Sequence, residues 1–158
     1  MGCRQSLSRV KVETPFTLKY HMIRNDEFKL GDGAFGVVYR AKVRQASDDN
    51  PQADVAVKCI SNEDLKDSDR EYIHQEVNIL KRLKHPAIIQ CLDFFEEAKE
   101  SYIVTEIVLG GELFDRIIKY QHYSEKEARD LCARLLDSLA YMHEKGIAHV
   151  SNFFEWQY

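Results

Sequence analysis

Residues 28–43 read FKLGDGAFGVVYRAKV and carry glycines at positions 31, 33 and 36 between apolar and β-branched flanks. This composition predicts a hairpin with a glycine-rich turn. A G-x-G-x-x-G pattern alone is weak, because it also occurs in dinucleotide-binding βαβ units and in ordinary tight hairpins. In the dinucleotide motif a helix begins at the third glycine, whereas here a β-branched strand continues. We therefore expect the glycines at a hairpin tip, where bare backbone can close over phosphate groups.

A lysine follows on the next apolar segment, DVAVKCI, which reads as a buried strand and contains Lys58. A buried ammonium is costly unless it reaches water or meets an anion. The segment REYIHQEVNILKRLKH predicts a helix stopped by Pro86, with Glu76 on its apolar stripe. Lys58 and Glu76 are therefore candidates for an ion pair that would hold the amine against nucleotide phosphates. The alternative for Glu76 is a carboxylate at the edge of the stripe that reaches solvent.

The composition of the chain argues against several classes of protein, among them nucleic-acid-binding, disulfide-rich and membrane-spanning proteins. The chain has 158 residues, 44% hydrophobic content and a net charge of −4, so it can fill a core and has no basic footprint for nucleic acid. Its four cysteines form no C-x-x-C pair, and neither a zinc site nor a disulfide framework is indicated. No apolar run reaches the length of a membrane span and no secretory signal is recognisable. We expect a cytoplasmic protein.

Five ordered blocks extend the pattern across residues 28–149. They read LGDGAFGVVYRAKV, DVAVKCI, HQEVNILKRLKHPAII, YIVTEIVLGGELFDRI and YSEKEARDLCARLLDSLAYMHEKGIAH. Together they resemble the first part of a eukaryotic protein kinase domain, and the GGELFDRI piece resembles the calcium/calmodulin-dependent group of serine/threonine kinases. The resemblance implies an α+β fold: a kinase-like small lobe, with an antiparallel sheet and one regulatory helix, followed by the first helices of the large helical lobe.

The same resemblance implies an ATP site and a division of the chain. Gly31, Gly33 and Gly36 would cover the phosphates, and Thr105 would stand at the gate behind the adenine pocket. The other implied nucleotide contacts are the adenine roof, Leu30, Val38 and Ala56; the hinge backbone, Glu106 and Val108; and the ribose contact, Glu112. The implied parts are an N-terminal arm (1–25), the small lobe (26–108), the hinge exit and start of the large lobe (109–149), and a divergent tail (150–158).

The N-terminal residues MGCRQS match an acylation signal, with Gly2 as the myristoyl acceptor and Cys3 available for palmitoylation. Two acyl chains anchor a protein stably where one does not. The alternative is a chance match, because the motif is short. A membrane surface is therefore a candidate partner, and the cytoplasmic protein would be membrane-associated if both residues are acylated.

The family pattern stops after His149. A working kinase continues H-R-D-L-x-x-x-N and later D-F-G, whose acidic groups orient the substrate hydroxyl and hold magnesium. Here Val150 and Ser151 stand at the Arg and Asp positions, and a serine hydroxyl cannot replace a carboxylate base near pH 7. We therefore expect no catalytic residue and no metal ligand in this chain, and ATP binding that is weak and largely independent of magnesium.

Two other interpretations remain open. In the first, the chain is a membrane-tethered, non-catalytic decoy that competes with a full-length relative for partners. In the second, it is a fragment without function. Because every valine codon begins with GT, the usual start of an intron, residues 150–158 are also expected to translate an unspliced intron.

Two further expectations concern aromatic and apolar residues. Asp93-Phe94-Phe95 resembles D-F-G but precedes the hinge, so we interpret it as a strand acid followed by core aromatics. The apolar stripe of the helix over 124–145 lacks the cover that a full kinase lobe would supply, so we expect exposed apolar surface there. The aromatic side chains of the tail 150–158 are available to fold back on it.

Overall fold

The computed structural model describes residues 13–33, 36–44, 54–63, 65–111, 113–120 and 124–148, with backbone alone at positions 114, 116 and 120. Gly2, Cys3, Glu112, His149 and the tail 150–158 lie outside the described residues. The elements in chain order are α1 (Pro15–Lys19), β1 (Tyr20–Met22), a 3₁₀ turn (Asp26–Phe28), β2 (Lys29–Gly33), β3 (Gly36–Val43), β4 (Asp54–Ser61), α2 (Asp67–Arg82), β5 (Cys91–Glu96), β6 (Glu100–Glu106), α3 (Leu113–Tyr120) and α4 (Glu125–Glu144). We call the part from α1 to β6 the sheet lobe, and α3 with α4 the helical segment.

The sheet is antiparallel with the strand order β1-β3-β4-β6-β5, and β2 also pairs with β3. β1 and β2 follow one another along the same edge of β3, because Met22 lies opposite Ala41 and Lys29 lies opposite Tyr39. The 3₁₀ turn between them is capped by Asn25, whose side chain accepts a hydrogen bond from the N–H of Phe28. The predicted glycine-rich hairpin is confirmed as the β2–β3 pair.

One surface of the sheet, here called the back face, packs against α1. Its core is aromatic and aliphatic, and Phe16 of α1 stacks on Tyr102 of β6 with ring centroids 4.1 Å apart. The buried residues of this cluster are Phe16, Tyr20, Ala41, Val55, Val57, Cys59, Tyr102 and Val104. α1 was not predicted, because residues 1–25 were expected only to form an N-terminal arm. Thr14 caps the helix in a capping box and Pro15 occupies its first turn, which is the signal that reveals it.

The opposite surface, the front face, is half covered by α2. Ile73 and Val77 of α2 are buried against β4, β5 and β6 in a cluster with Ile60, Cys91 and Ile103. The helix predicted over 70–85 is confirmed, although it begins at Asp67 and ends at Arg82. Because Phe94 packs in this cluster and Phe95 packs against the back face, the interpretation of both as core aromatics on a strand is confirmed.

The helical segment begins after the hinge and includes α4, whose first turn is closed by a capping box between Ser124 and Glu127. The helix terminates just before Gly146, which has φ of +70°, a conformation that glycine adopts without strain. α4 meets the α2–β5 connection through two polar contacts. The N–H of Lys84 donates to Tyr141 Oη at 3.0 Å, and His85 Nε2 lies 3.1 Å from Asp137 Oδ2.

The expected exposed apolar surface is present on the helical segment. Leu135, Leu136 and Leu139 of α4 and Ile117 and Ile118 of α3 are exposed, whereas Met142 and Ser138 are buried toward the sheet lobe. Across the described part of the chain, none of the helices combines the length and the apolar character that crossing a bilayer requires.

Candidate functional site

The candidate site is the half of the front face that α2 leaves uncovered. Strand register brings its members together: Val38 on β3 lies directly opposite Lys58 on β4, and Ala56 on β4 lies directly opposite Thr105 on β6. Directly paired residues in an antiparallel sheet project to the same side, as do residues two apart on one strand. Val38, Ala56, Lys58 and Thr105 therefore form one surface across three neighbouring strands. The structure thus brings together four of the predicted nucleotide contacts.

The glycine-rich hairpin arches over this surface. A Cβ atom placed on Gly33 would lie 3.4 Å from Lys58 Cε and 3.9 Å from its Nζ, so the lysine side chain extends beneath the hairpin. At Gly36 a Cβ atom would overlap the carbonyl oxygen of Cys59. Only glycine allows β3 to approach β4 so closely at that point. Gly31 differs, because no atom lies within 4 Å of the position that its Cβ would occupy.

Leu30 lies at the edge of the same hairpin. The pairing of β2 with β3 is irregular between Lys29 and Gly31, which places Leu30 at a bulge, and its side chain is partly exposed. An ion pair of 2.8 Å between Lys29 Nζ and Asp32 Oδ1 lies on the same strand. This pairing raises the pKa of Lys29, chiefly through the hydrogen bond to Asp32. The hairpin thus presents a partly exposed apolar side chain beside charged ones.

Glu76 lies on α2 but not among its buried residues. Ile73 and Val77 are buried while Glu76 is exposed, so its position is that of a stripe-edge carboxylate. Among the described residues the ion pairs include none between Lys58 and Glu76. Glu76 contributes instead to the wall of a cavity beneath α2. The pairing of Lys58 with Glu76 stays a prediction.

The strand β6 leads out of the sheet lobe at the predicted hinge. The N–H of Glu106 donates to the carbonyl of Gln90 at 3.1 Å, and the N–H of Gln90 donates to Glu106 Oε1 at 2.8 Å. These two bonds fix Glu106 against the start of β5. The following residues are open to solvent, Val108 among them. Gly111 has φ of +73°, so the backbone turns there in a conformation that favours glycine.

Two titratable groups near the site have displaced pKa values. Burial raises the pKa of the Cys59 thiol to about 11, so this residue of β4 is a neutral core side chain at physiological pH. Burial also raises the pKa of Cys91 on β5.

In the part of the chain that the structure describes, no group of three or more His, Cys, Asp and Glu side chains is arranged to hold a metal ion.

Sequence reasoning missed the contacts that tie the first strand to the sheet. Arg24 donates two hydrogen bonds of 2.7 Å to the carboxylate of Glu100, which also accepts from Tyr102 Oη at 2.9 Å. Lys19 Nζ and Tyr20 Oη both contact Asp93 Oδ2. Lys19, Tyr20 and Arg24 lie more than 70 residues from the carboxylates that they contact, and no local motif marks these pairs.

Comparison with known proteins agrees with this geometry. The protein kinase domain family matches residues 24–151. Calcium/calmodulin-dependent protein kinase type 1 of Macrobrachium nipponense is 39% identical over 120 residues, covering 76% of this chain and 33% of the relative. Calcium/calmodulin-dependent protein kinase type IV of Mus musculus is 42% identical over 123 residues, covering 78% of this chain and 24% of the relative.

A solved structure shares the fold. The crystal structure of Rad53 1–466 in complex with AMP-PNP superposes with a TM-score of 0.68 at 28% identity, covering 85% of this chain and 33% of that one. The chain thus spans about a third or less of the length of each relative described. The α+β fold predicted from sequence, a kinase-like small lobe followed by the first large-lobe helices, is confirmed. The chain belongs to the protein kinase domain family, in its calcium/calmodulin-dependent group, and spans the small lobe and the first helices of that domain.

Proposed function

We propose that the uncovered half of the front face binds ATP. The observation that carries the proposal is the register of β3, β4 and β6, which places Val38, Ala56, Lys58 and Thr105 on one surface beneath a glycine hairpin. The related Rad53 structure was determined with AMP-PNP. An apolar surface with one ammonium group suits a ligand that has a flat base at one end and phosphates at the other.

Each predicted contact has a role in this proposal. Leu30, Val38 and Ala56 form an apolar roof over adenine, and the ammonium of Lys58 meets the α- and β-phosphates. The backbone N–H of Gly33 faces the same phosphates, since glycine has no side chain to hold the backbone away. Thr105 lies behind the base. The remaining proposed contacts are Gly31, Gly36, Glu106, Val108 and Glu112.

We propose that this binding is weak and largely independent of magnesium. The groups that hold magnesium in the family follow the catalytic loop, and the position of its aspartate is Ser151 here. A hydroxyl at that place neither accepts the substrate proton near pH 7 nor offers a charged metal ligand. Phosphate neutralisation therefore rests on Lys58 and the hairpin backbone.

Calorimetric titration of the 158-residue chain with ATP, with and without magnesium, tests the site. Lys58→Ala should weaken binding, because it removes the cation beneath Gly33. Lys126→Ala is the matched control, since it removes an exposed lysine from α4. Wild-type protein that does not bind millimolar ATP while its sheet lobe is folded would exclude the site, as would equal binding by Lys58→Ala.

A double-mutant cycle tests the proposed partnership of Lys58 with Glu76 in the nucleotide-bound state. If the two side chains pair there, the combined alanine variants lose less affinity than the sum of the single losses. The control cycle uses Glu71, an exposed glutamate on the same helix, and should be additive. Additivity in both cycles would show that Glu76 does not act through Lys58.

We also propose that the 158-residue chain transfers no phosphate. Peptide phosphorylation should stay at background with ATP and magnesium, because Ser151 occupies the position of the base. Val150→Arg combined with Ser151→Asp should not restore transfer in these 158 residues, since neither change supplies the asparagine of H-R-D-L-x-x-x-N or the aspartate of D-F-G. Activity of the purified wild-type chain in a radiolabel assay would contradict this proposal. The phosphorylation of serine and threonine by a complete domain is proposed by likeness to the named relatives.

A second candidate function is favoured by the N-terminal MGCRQS motif. In this proposal, myristoylated Gly2 and palmitoylated Cys3 tether a non-catalytic chain to the cytoplasmic face of a membrane, where it competes with a complete relative for partners. Gly2→Ala should move the expressed protein to the soluble fraction, whereas Gln5→Ala should not. Equal membrane fractions for wild type and Gly2→Ala would exclude the tether.

A further inference from the structure

A cavity of about 760 Å³ lies beneath α2. Its walls come from three places: α2, the connection at residues 87–89, and α4 with the two residues that follow Gly146. Most of the side chains are apolar, and Glu76 is the charged member. Sites that bury drug-sized molecules have volumes of about 300–1,000 Å³ and a similar apolar lining. The cavity is therefore large enough for several side chains of one peptide segment.

The chain itself leads into this cavity. Ile147 and Ala148 lie on its wall, and the next residues are His149 and the segment 150–158, VSNFFEWQY. An extended chain advances at most about 3.3–3.6 Å per residue, so these residues reach every part of a cavity whose wall they adjoin. A segment tethered in this way has an effective concentration of the order of millimolar. It therefore competes well against any separate partner.

The sequence of the segment suits the cavity. Phe154, Trp156 and Tyr158 alternate with Glu155 and Gln157. In an extended conformation, the three aromatic side chains project to one side and the two polar ones to the other. That arrangement turns Glu155 away from Glu76 on the wall. The indole N–H of Trp156 and the hydroxyl of Tyr158 also have acceptors available at the wall, including Ser138 and Glu76.

We propose that residues 150–158 dock into the cavity beneath α2 of their own chain, with Phe154, Trp156 and Tyr158 inserted between α2 and α4. The docked segment covers apolar side chains that are otherwise in contact with water, among them Ile79 and Ile89. The docked segment also links α4 to α2, in addition to the polar contacts that Lys84 and His85 make with α4. This inference does not depend on nucleotide binding.

Trp156 is the single tryptophan of the chain, so its intrinsic fluorescence reports directly on the segment. The experiment uses the 158-residue protein. We expect emission at short wavelength and poor quenching by acrylamide. Ile79→Glu should shift the emission to longer wavelength and make the indole accessible to acrylamide, because it places a second carboxylate on the cavity wall. Ile79 is already 37% exposed, so we expect the fold to tolerate a charge there.

Matched controls distinguish this site from other apolar surfaces. Leu136→Glu changes a leucine on α4 that is 65% exposed and is not part of the cavity wall, and it should leave the fluorescence unchanged. If Ile79→Glu unfolds the protein by circular dichroism, Tyr72→Glu replaces it, since Tyr72 is 65% exposed and lines the same wall.

Three outcomes would overturn the proposal. The first is a solvent-exposed indole in the wild-type protein. The second is an equal response to Ile79→Glu and Leu136→Glu, which would place Trp156 elsewhere. The third is loss of the short-wavelength emission on dilution, together with a dimer by light scattering, which would show that a second copy supplies the segment. A short-wavelength emission that is independent of concentration and is lost in the wall variant alone supports docking within one chain.

Discussion

The sheet lobe and the helical segment differ in how much of their apolar surface is covered. Val57 and Val104 at the centre of the sheet have 0% exposure, whereas Leu136 on α4 is 65% exposed. α1 packs on the back face of the sheet and α2 on part of its front face, so the central strands bury apolar side chains on both faces. α4 touches the sheet lobe along one edge. The comparison indicates that the sheet lobe supplies most of the folding free energy, while the helical segment depends on a few contacts.

The largest difference between the sheet lobe and the helical segment is expected when one aliphatic side chain in each is shortened to alanine. Ile60→Ala opens a cavity between β4 and α2, where Ile60 is almost fully buried, and should lower the free energy of unfolding by about 2–5 kcal/mol. Leu136→Ala should change it by less than about 0.5 kcal/mol, because the side chain is already in water. Urea denaturation followed by circular dichroism measures both. Similar losses would show that α4 is packed as tightly as the sheet.

A smaller effect is expected in the glycine hairpin. Gly36→Ala should lower the free energy of unfolding by about 1–3 kcal/mol, because its methyl group would overlap the Cys59 carbonyl and force β3 from β4. Gly31→Ala is the matched control, since its methyl group would meet no atom within 4 Å. Thermal denaturation of the two variants compares them. Equal melting temperatures would show that β3 can move away from β4 to make room for the methyl group without loss of stability.

The hairpin also shows how far sequence reasoning reaches. The glycine spacing and the strand that follows it predicted the β2–β3 pair, and the 3.6-residue periodicity predicted α2 and α4. These signals are local, since each depends on residues within one or two turns of the chain. The strand register that places Val38 opposite Lys58 depends on pairing across β3 and β4. No sequence pattern fixed it, and the family resemblance supplied the residues of the site instead.

Two features that sequence patterns did not reveal have physical reasons. α1 is five residues long, too short for a helical period to appear in its sequence, so only its cap signals it. Glu76 satisfies the helical period of the apolar stripe, yet it is exposed because the cavity beneath α2 leaves that edge uncovered. Periodicity reports the direction of a side chain but not what lies opposite it.

The hydrogen bond at the junction between the sheet lobe and the helical segment should contribute about 1 kcal/mol to the stability of α4. Tyr141→Phe removes the acceptor of the Lys84 N–H, a hydrogen bond of 3.0 Å near the protein surface, and a net contribution of about 0.5–1.5 kcal/mol is typical. Hydrogen exchange should speed up in α4 while β4 and β6 keep their protection. Tyr72→Phe, a tyrosine on α2 that is 65% exposed, is the control. Unchanged exchange in α4 would show that this bond does not hold the helix.

The smallest expected effect belongs to the ion pair between Arg24, which follows β1, and Glu100 of β6. This pair lies in the sheet lobe, so its loss in acid should lower the stability of that lobe and not of the helical segment. The hydrogen bonds from Arg24 lower the pKa of Glu100 below its usual value, against the opposing effect of partial burial. A carboxyl group with a lowered pKa in the folded state adds stability above its unfolded pKa of about 4.3, and that stability is lost as the pH falls through the folded pKa. Both side chains are partly exposed, so the contribution at neutral pH is below about 1 kcal/mol.

Glu100→Gln should therefore lower the free energy of unfolding slightly at pH 7 and reduce its loss on acidification below about pH 4.3. Glu125→Gln, an exposed glutamate in the first turn of α4, lies in the helical segment and should leave the acid dependence of the sheet lobe unchanged. Urea titrations at a series of pH values between neutrality and the acid limb compare the two variants. If Glu100→Gln keeps the full acid dependence of the wild type, the hydrogen bonds from Arg24 to Glu100 do not stabilise the contact between β6 and the residues that follow β1.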